Sequence, residues 1–208
     1  AALGLSIAAG ASLNDAAMLA NLAAGIAVGK AGTAIVRRSE LIDRILTERL
    51  HRAEEKMLSA ESMMERVAAW RARGAKIVFT NGCFDILHPG HVGLLAEARA
   101  QGDRLVVGLN SDDSVRRLKG PERPVNSELS RAVVLASLES VDAVVVFDTD
   151  TPLSLITALK PDVLVKGKDY TIDKVVGAAE MKSWGGRVHL ADIREGHSTT
   201  GTIKRMQR

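Results

Sequence analysis

Residues 76–91 read KIVFTNGCFDILHPGH. Ile77, Val78, Phe79 and Thr80 form a short apolar and β-branched run that predicts a buried strand over 76–80. The glycine- and proline-bearing stretch after it leads into a helix near 90–100. A strand that feeds a helix through such a turn leaves free backbone N–H groups and the positive end of a helix dipole at one edge of a sheet, where an anion is favoured. Gly82 and Gly90 let the main chain come close to a ligand, and Pro89 sets the turn between two histidines. His88 and His91, three positions apart, face one point above the helix N-terminus. Neither the Walker-type phosphate loop nor a G-x-G-x-x-G turn is present. Paired imidazoles at this place suit a phosphate whose charge grows during reaction, since ring N–H donors stabilise the extra charge on a pentavalent phosphorus. From the residues alone two other readings stay open: a metal site with Asp85 as the third nearby ligand, and plain helix capping.

Outward from this stretch, β-rich runs alternate with helical patterns. Strands are expected at 76–80, 104–109, 142–147, 162–165 and 187–190. Helices are expected near 90–100, 111–118, 127–138, 152–159 and 173–183, with a last one near 199–208. That alternation predicts an α/β, Rossmann-like fold: a five-stranded parallel sheet with helices on both faces and a cleft at the carboxyl ends of the strands. This domain is placed over residues 59–208.

Upstream the composition changes twice. In the charge-dense zone 37–74, Ser39 opens a helical pattern with Leu41, Ile42, Ile45 and Leu46 on one face. Ser59 or Ser62 opens another, with Met63, Met64, Val67 and Trp70 inward, Gly74 as its stop, and capping-box spacing from Ser62 to Glu65. Residues 47–58 between these patterns read as a solvated helical linker. Residues 1–34 hold 13 alanines and five glycines, with Asp15 and Lys30 the only charges. Ser12 or Asn14 caps a helix running to about Ala27, which Gly29 and Gly32 end. Small residues on every face call for close neighbours on several sides, and the start at Ala1, without Met or a basic leader, reads as part of a longer chain.

The 208 residues are 46% hydrophobic and 25% charged, the balance of a globular protein rather than a disordered or low-complexity chain. A single cysteine, Cys83, excludes an internal disulfide and a closed Cys-rich zinc site, and points to a reducing compartment, hence a cytoplasmic location. The net charge of +3 arises from 28 basic against 25 acidic residues of interspersed sign, and the six aromatics do not alternate with basic residues, so no nucleic-acid partner is expected. No apolar run reaches the roughly 18 residues of a membrane span.

Five stretches resemble one family: TNGCFDILHPGH at 80–91, GLNSDDS at 108–114, KGPERPV at 119–125, VKGKDY at 165–170 and EGHSTT at 195–200. The first resembles the HxGH signature of the cytidylyltransferase-like nucleotidyltransferases. The set resembles the adenylyltransferase domain of the bifunctional heptose 7-phosphate kinase/heptose 1-phosphate adenylyltransferases, over residues 75–208. AAGASLNDAAMLANLAAGIAVGKAGTA at 8–34 is similar to the C-terminal end of a ribokinase-like sugar kinase domain, so residues 1–46 read as a remnant of one. The G-A-G-D phosphate turn of such kinases is absent, and kinase activity is not expected.

The resemblance implies transfer of AMP from ATP to D-glycero-β-D-manno-heptose 1-phosphate, giving ADP-heptose and pyrophosphate for the lipopolysaccharide core, with Mg²⁺ accompanying ATP. The acceptor is already anionic, so alignment and charge neutralisation suffice without a general base. His88, His91 and Lys119 take the catalytic positions. Thr80, Asn81, Gly82, Cys83, Phe84, Asp85 and Gly90 fall to the nucleotide from the first motif. Lys166, Gly167 and Asp169, then Arg194, Ser198, Thr199 and Thr200, do so from the later ones. Asn110, Arg123 and Lys168 are assigned to the acceptor, and no residue to a resident metal. Plain structural roles stand beside several of these: a small buried residue for Cys83, a turn cap or histidine-orienting group for Asp85, solvated side chains for Lys119 and Arg123, and an ion pair for Arg131. The expected partners are ATP and the sugar phosphate, in a homo-oligomer. The competing functions are a cytidylyltransferase acting on a polyol phosphate and a non-catalytic nucleotide-binding module.

Overall fold

The computed structural model describes residues 1–32, 34–168 and 170–192, which divide into two compact units, Ala1–Arg52 and Ala53–Arg208. In chain order the elements are α1 (Ala2–Ala8), α2 (Leu13–Val28), α3 (Arg38–Glu54), β1 (Met57–Leu58), α4 (Ala60–Ala72), β2 (Ile77–Gly82), α5 (Pro89–Arg99) and β3 (Arg104–Asn110). They continue as α6 (Asp112–Lys119), α7 (Glu128–Ala136), β4 (Ala143–Phe147), α8 (Leu153–Leu159), β5 (Val163–Gly167), α9 (Ala178–Ser183) and β6 (Arg187–Ala191).

All strand pairs are parallel, and the sheet order is β1-β4-β3-β2-β5-β6. From the central β2 the chain winds outward through β3 and β4, then returns to the other side of β2 for β5 and β6. The reversal beside β2 is the kind of switch point at which open parallel sheets hold ligands, above the carboxyl ends of the strands. Side chains alternate between two cores. Val78, Leu105, Val107, Val144 and Val165 join Leu95 of α5 and Ala132 and Leu135 of α7 on one face. Ile77, Phe79, Val106, Val145 and Leu164 join Met63 and Val67 of α4, Ile156 of α8 and Met181 of α9 on the other. Gly108 of β3 makes room for the Phe79 ring, since a Cβ there would stand 2.7 Å from the ring tip. At the opposite, amino edge, carboxylates tie the strand ends: Asp162 accepts from the Ile77 N–H at 2.7 Å and Asp142 from the Leu105 N–H at 2.8 Å.

Three expectations need correction. The sheet has six strands rather than five, because Met57 and Leu58, expected inside a helical linker, pair with Val144 and Val145. Two residues are too few to show a period, but the open edge of β4 needs partners for its peptide groups, and the Val144 N–H finds the Lys56 carbonyl at 2.8 Å. The helix expected over 173–183 is broken: Ile172–Lys174 forms a single 3-10 turn, Val175 is extended, and Gly177 sits at φ 91° before α9 begins. In α4, Met64, expected inward, is exposed while Met63 and Val67 are buried; of the two serines offered as the start, Ser59 is the cap, accepting from the Ser62 N–H at 3.1 Å. The helix expected near 199–208 lies outside the described residues.

In the first unit Ser12 caps α2 by accepting from the Asp15 N–H at 3.2 Å, and the helix ends at Gly29. Helix α1 precedes it without having been expected. Ala16 and Leu22 are the buried residues of α2, whereas Leu5, Leu13, Val28 and Ile35 are 72–86% exposed. Among the described residues no helix is long and apolar enough to cross a membrane.

Candidate active site

The carboxyl end of β2 leads through a six-residue bend, 83–88, into α5, and this bend differs from the serine-capped helix starts among the described residues. His88 occupies the N-cap position with extended backbone, φ −143° and ψ 165°, but gives α5 no side-chain cap. Pro89 has no N–H to satisfy, and the His91 and Val92 N–H groups share the His88 carbonyl at 2.9 and 3.3 Å. The first turn of α5 thus carries its dipole toward the sheet edge with no side-chain acceptor in front of it.

Over that end the two imidazoles stack, with ring centroids 3.8 Å apart and 20° between planes. Phe84 wedges its edge against the His91 ring at 5.2 Å. The Phe84 backbone lies in the left-handed region, φ 44°, a strained setting for a bulky residue that the buried ring holds in place. Burial pushes the His91 ring down to about 4, the His88 charge adds to the shift, and a hydrogen bond to the Ile86 carbonyl opposes it. His91 is therefore neutral at pH 7 and offers an N–H donor rather than a fixed charge.

The imidazoles open onto a cavity of about 550 Å³. Residues 81–84 form one side of it, and Lys119, Arg123, Lys166 and Lys174 supply positive charge around the rest. Lys166 donates to the Asn81 carbonyl at 3.1 Å and lies 5.7 Å over the Tyr170 ring. Asn81 Oδ1 is buried without a hydrogen-bond partner among the described residues, which leaves an acceptor beside the cavity. Asp150 is the one carboxylate in the lining among the described residues, next to Thr151. No group of three or more His, Cys, Asp or Glu among the described residues is arranged to hold a metal ion.

A family model described as cytidylyltransferase-like matches residues 79–205. The chain belongs to the cytidylyltransferase-like family. The match takes in the β2–α5 bend, both histidines and the whole cavity lining. Among curated relatives, "Bifunctional protein HldE" of Paramagnetospirillum magneticum is 59% identical over 99% of this chain and 42% of its own length. The protein of the same name from Acidiphilium cryptum is 56% identical over all of this chain and again 42% of its own. The chain therefore spans about 42% of the length of the curated relatives it matches. Among solved structures, a lipopolysaccharide core biosynthesis protein of Thermoplasma volcanium is 30% identical, over 60% of this chain and all of that one, with a TM-score of 0.49.

Within this cytidylyltransferase-like domain the expected site residues sort by position. His88, His91, Lys119, Asn81, Gly82, Cys83, Phe84, Asn110, Arg123 and Lys166 line the cavity. Thr80 and Gly167 line a smaller hollow beside it, where the Thr80 hydroxyl donates to the Val165 carbonyl at 2.9 Å and so joins β2 to β5. Gly90 is buried in the first turn of α5. Burial pushes the Cys83 thiol up, which suits a small wall residue rather than a nucleophile. Asp85 lies beneath the wall, 2% exposed, bonded to Arg123 and to the Val125 and Asn126 N–H groups. Lys168 does not line the cavity and pairs with the exposed Asp192. Asp169, Arg194, Ser198, Thr199 and Thr200 lie outside the described residues.

Arg131, 2% exposed, is a tie between loops: it donates to the Cys83 carbonyl at 2.6 Å, the Asn110 carbonyl at 2.9 Å, the Asn126 carbonyl at 3.0 Å and the Asp112 carboxylate at 2.7 Å. Asp150, Thr151, Tyr170 and Lys174 also line the cavity without having been singled out in the sequence. The signal for them was their place just beyond the carboxyl ends of β4 and β5, the same sheet edge that holds the histidines.

Proposed function

We propose that this chain transfers AMP from MgATP to a sugar 1-phosphate, with a heptose 1-phosphate as the natural acceptor, and releases pyrophosphate. The observation that carries this reading is the stacked imidazole pair at the uncapped start of α5, facing a cavity ringed by lysines and an arginine. The acceptor's phosphate oxygen attacks the α-phosphorus in line. The bond from that phosphorus to the bridging oxygen breaks, and its electron pair leaves with pyrophosphate. No proton has to be removed from the attacking oxygen, which accounts for a site rich in donors. His88 and His91 donate to the non-bridging α-phosphate oxygens, where charge builds in the transition state. Lys119 and Lys166 neutralise the phosphates, and Mg²⁺ enters with ATP as part of the substrate. A neutral His91 keeps one ring N–H to donate, and its low proton affinity holds it in that form at pH 7.

Asp150, paired through Oδ1 with Arg117 at 2.8 Å, takes the acceptor's hydroxyls together with Thr151, since a carboxylate accepts hydrogen bonds from a polyol. The choice of heptose rests on the five-motif resemblance and the HldE relatives, and the Ala-rich first unit is assigned to the end of a ribokinase-like domain on the same ground. Pyrophosphate release is the test, with ATP or CTP and a panel of sugar 1-phosphates and polyol phosphates. Release with ATP and a heptose 1-phosphate is expected. Activity with CTP and a polyol phosphate alone would replace this reading by a cytidylyltransferase, and nucleotide binding without release from any pair would replace it by a binding module.

A further inference from the structure

Lys119 closes α6, and the chain then turns at Gly120, with φ 97°, into a loop that brings Arg123 to the same cavity. That loop has little of its own to hold it. The Arg123 N–H reaches back to the Gly120 carbonyl at 3.1 Å, while Val125 is 59% exposed. Among the described residues, the other hydrogen bonds from residues 121–125 end on one carboxylate, that of Asp85 in the bend between β2 and α5. One Asp85 oxygen accepts from Arg123 Nε, and the other from the Val125 N–H at 2.7 Å and the Asn126 N–H at 3.1 Å. The Asn126 side chain returns the contact, donating to the Asp85 carbonyl at 2.8 Å. The Asp85 side chain is 1% exposed and that of Arg123 15%, so the pair is shielded from water and the geometry is held tightly.

We infer that Asp85 is a positioning residue that latches the 120–126 loop and thereby sets Lys119 and Arg123 across the cavity from the histidines. Asp85 lies three residues before His88 on the same bend, so one short segment aims the imidazoles and anchors the opposing cations. Its part in turnover rests on the nucleotidyl-transfer reading; the latch itself does not.

Two measurements on Asp85→Asn and Asp85→Ala separate these. The first is amide hydrogen exchange at Val125 and Asn126, with Val106 and Val107 of the buried β3 as the folding reference. Asp85→Ala should speed exchange at Val125 and Asn126 at least about tenfold while the β3 amides stay slow. Asp85→Asn, which keeps an acceptor oxygen but loses the ion pair, should fall between it and the wild type. The second is MgATP affinity by titration calorimetry together with steady-state kinetics. Affinity should fall about tenfold in Asp85→Ala and less in Asp85→Asn, with KM for ATP rising more than kcat falls. Unchanged exchange at Val125 and Asn126 in Asp85→Ala overturns the latch. Faster exchange with unaltered MgATP affinity overturns the positioning role. Should both variants fail to fold, Arg123→Gln tests the same latch from its other side, and unchanged exchange at Val125 and Asn126 there overturns it too. A wild type that binds MgATP but releases no pyrophosphate with any acceptor counts against the transfer reading alone, and leaves the exchange and affinity results to decide the latch.

Discussion

Helices α4 and α5 both follow strands of one parallel sheet, β1 and β2, yet they begin in opposite ways. Ser59 caps α4 by accepting from the Ser62 N–H at 3.1 Å, and Ser111 and Ser127 do the same for α6 and α7. At α5 the cap position holds His88, whose side chain accepts nothing from the turn, followed by Pro89. A serine cap is worth about 1 kcal/mol to an ordinary helix. Forgoing it leaves the dipole end open to a ligand anion, and the two rings stacked above it supply donors. On the proposed nucleotidyl-transfer reading, the difference separates a helix start that serves stability from one that serves a substrate.

The sharpest way to break this comparison is His91→Ala. Turnover in the pyrophosphate assay should fall about 100-fold or more, while the circular dichroism spectrum stays that of the wild type. A fall of less than about threefold would return His91 to a packing role against Phe84. His88→Ser turns α5 into a helix of the α4 kind. It should gain up to about 1 kcal/mol in denaturant unfolding and lose about tenfold or more in kcat/KM, a trade between stability and activity at one position. The mirror experiment is Ser59→Ala, which should cost about 1 kcal/mol of stability and leave kcat/KM unchanged.

A separate effect concerns pH. The folded ring of His91 titrates at about 4, below the ordinary 6.5, so the unfolded chain binds the proton more readily between those values. Its contribution to stability is complete above pH 6.5 and is lost as the pH falls toward 4. The wild type should lose more stability than His91→Asn over that window, as read by urea midpoints at pH 7 and pH 4.5. Parallel curves would place the ring in a more solvated setting.

Much of this architecture could be read along the chain. Strands such as β3 and β4 are apolar on both faces, as a sheet covered on both sides requires, and the bend with His88 and His91 is contiguous in sequence. What escaped reading had its cause elsewhere in the chain. Met57 and Leu58 become a strand only because β4 presents an unpaired edge. Gly177, a single residue in the left-handed region, interrupts a helical pattern that otherwise runs on. Lys168 looked equivalent to Lys166, two residues before it, and continued alternation would put both on one side of the sheet; but β5 ends at Gly167, and past that end Lys168 pairs with Asp192 at the surface while Lys166 lines the cavity.

The order of residues alone decided that this protein is a parallel α/β fold with a glycine- and histidine-bearing bend after its central strand, because periodicity and turn chemistry act over a few neighbouring positions. Only the tertiary structure decided that His91 stays neutral, that Asp150 is the one described carboxylate lining a cavity of lysines, and that Asp85 holds a loop about 40 residues away. Desolvation, Coulomb attraction and hydrogen bonds depend on distance in space, and that distance is set when β2, β3 and β5 come together.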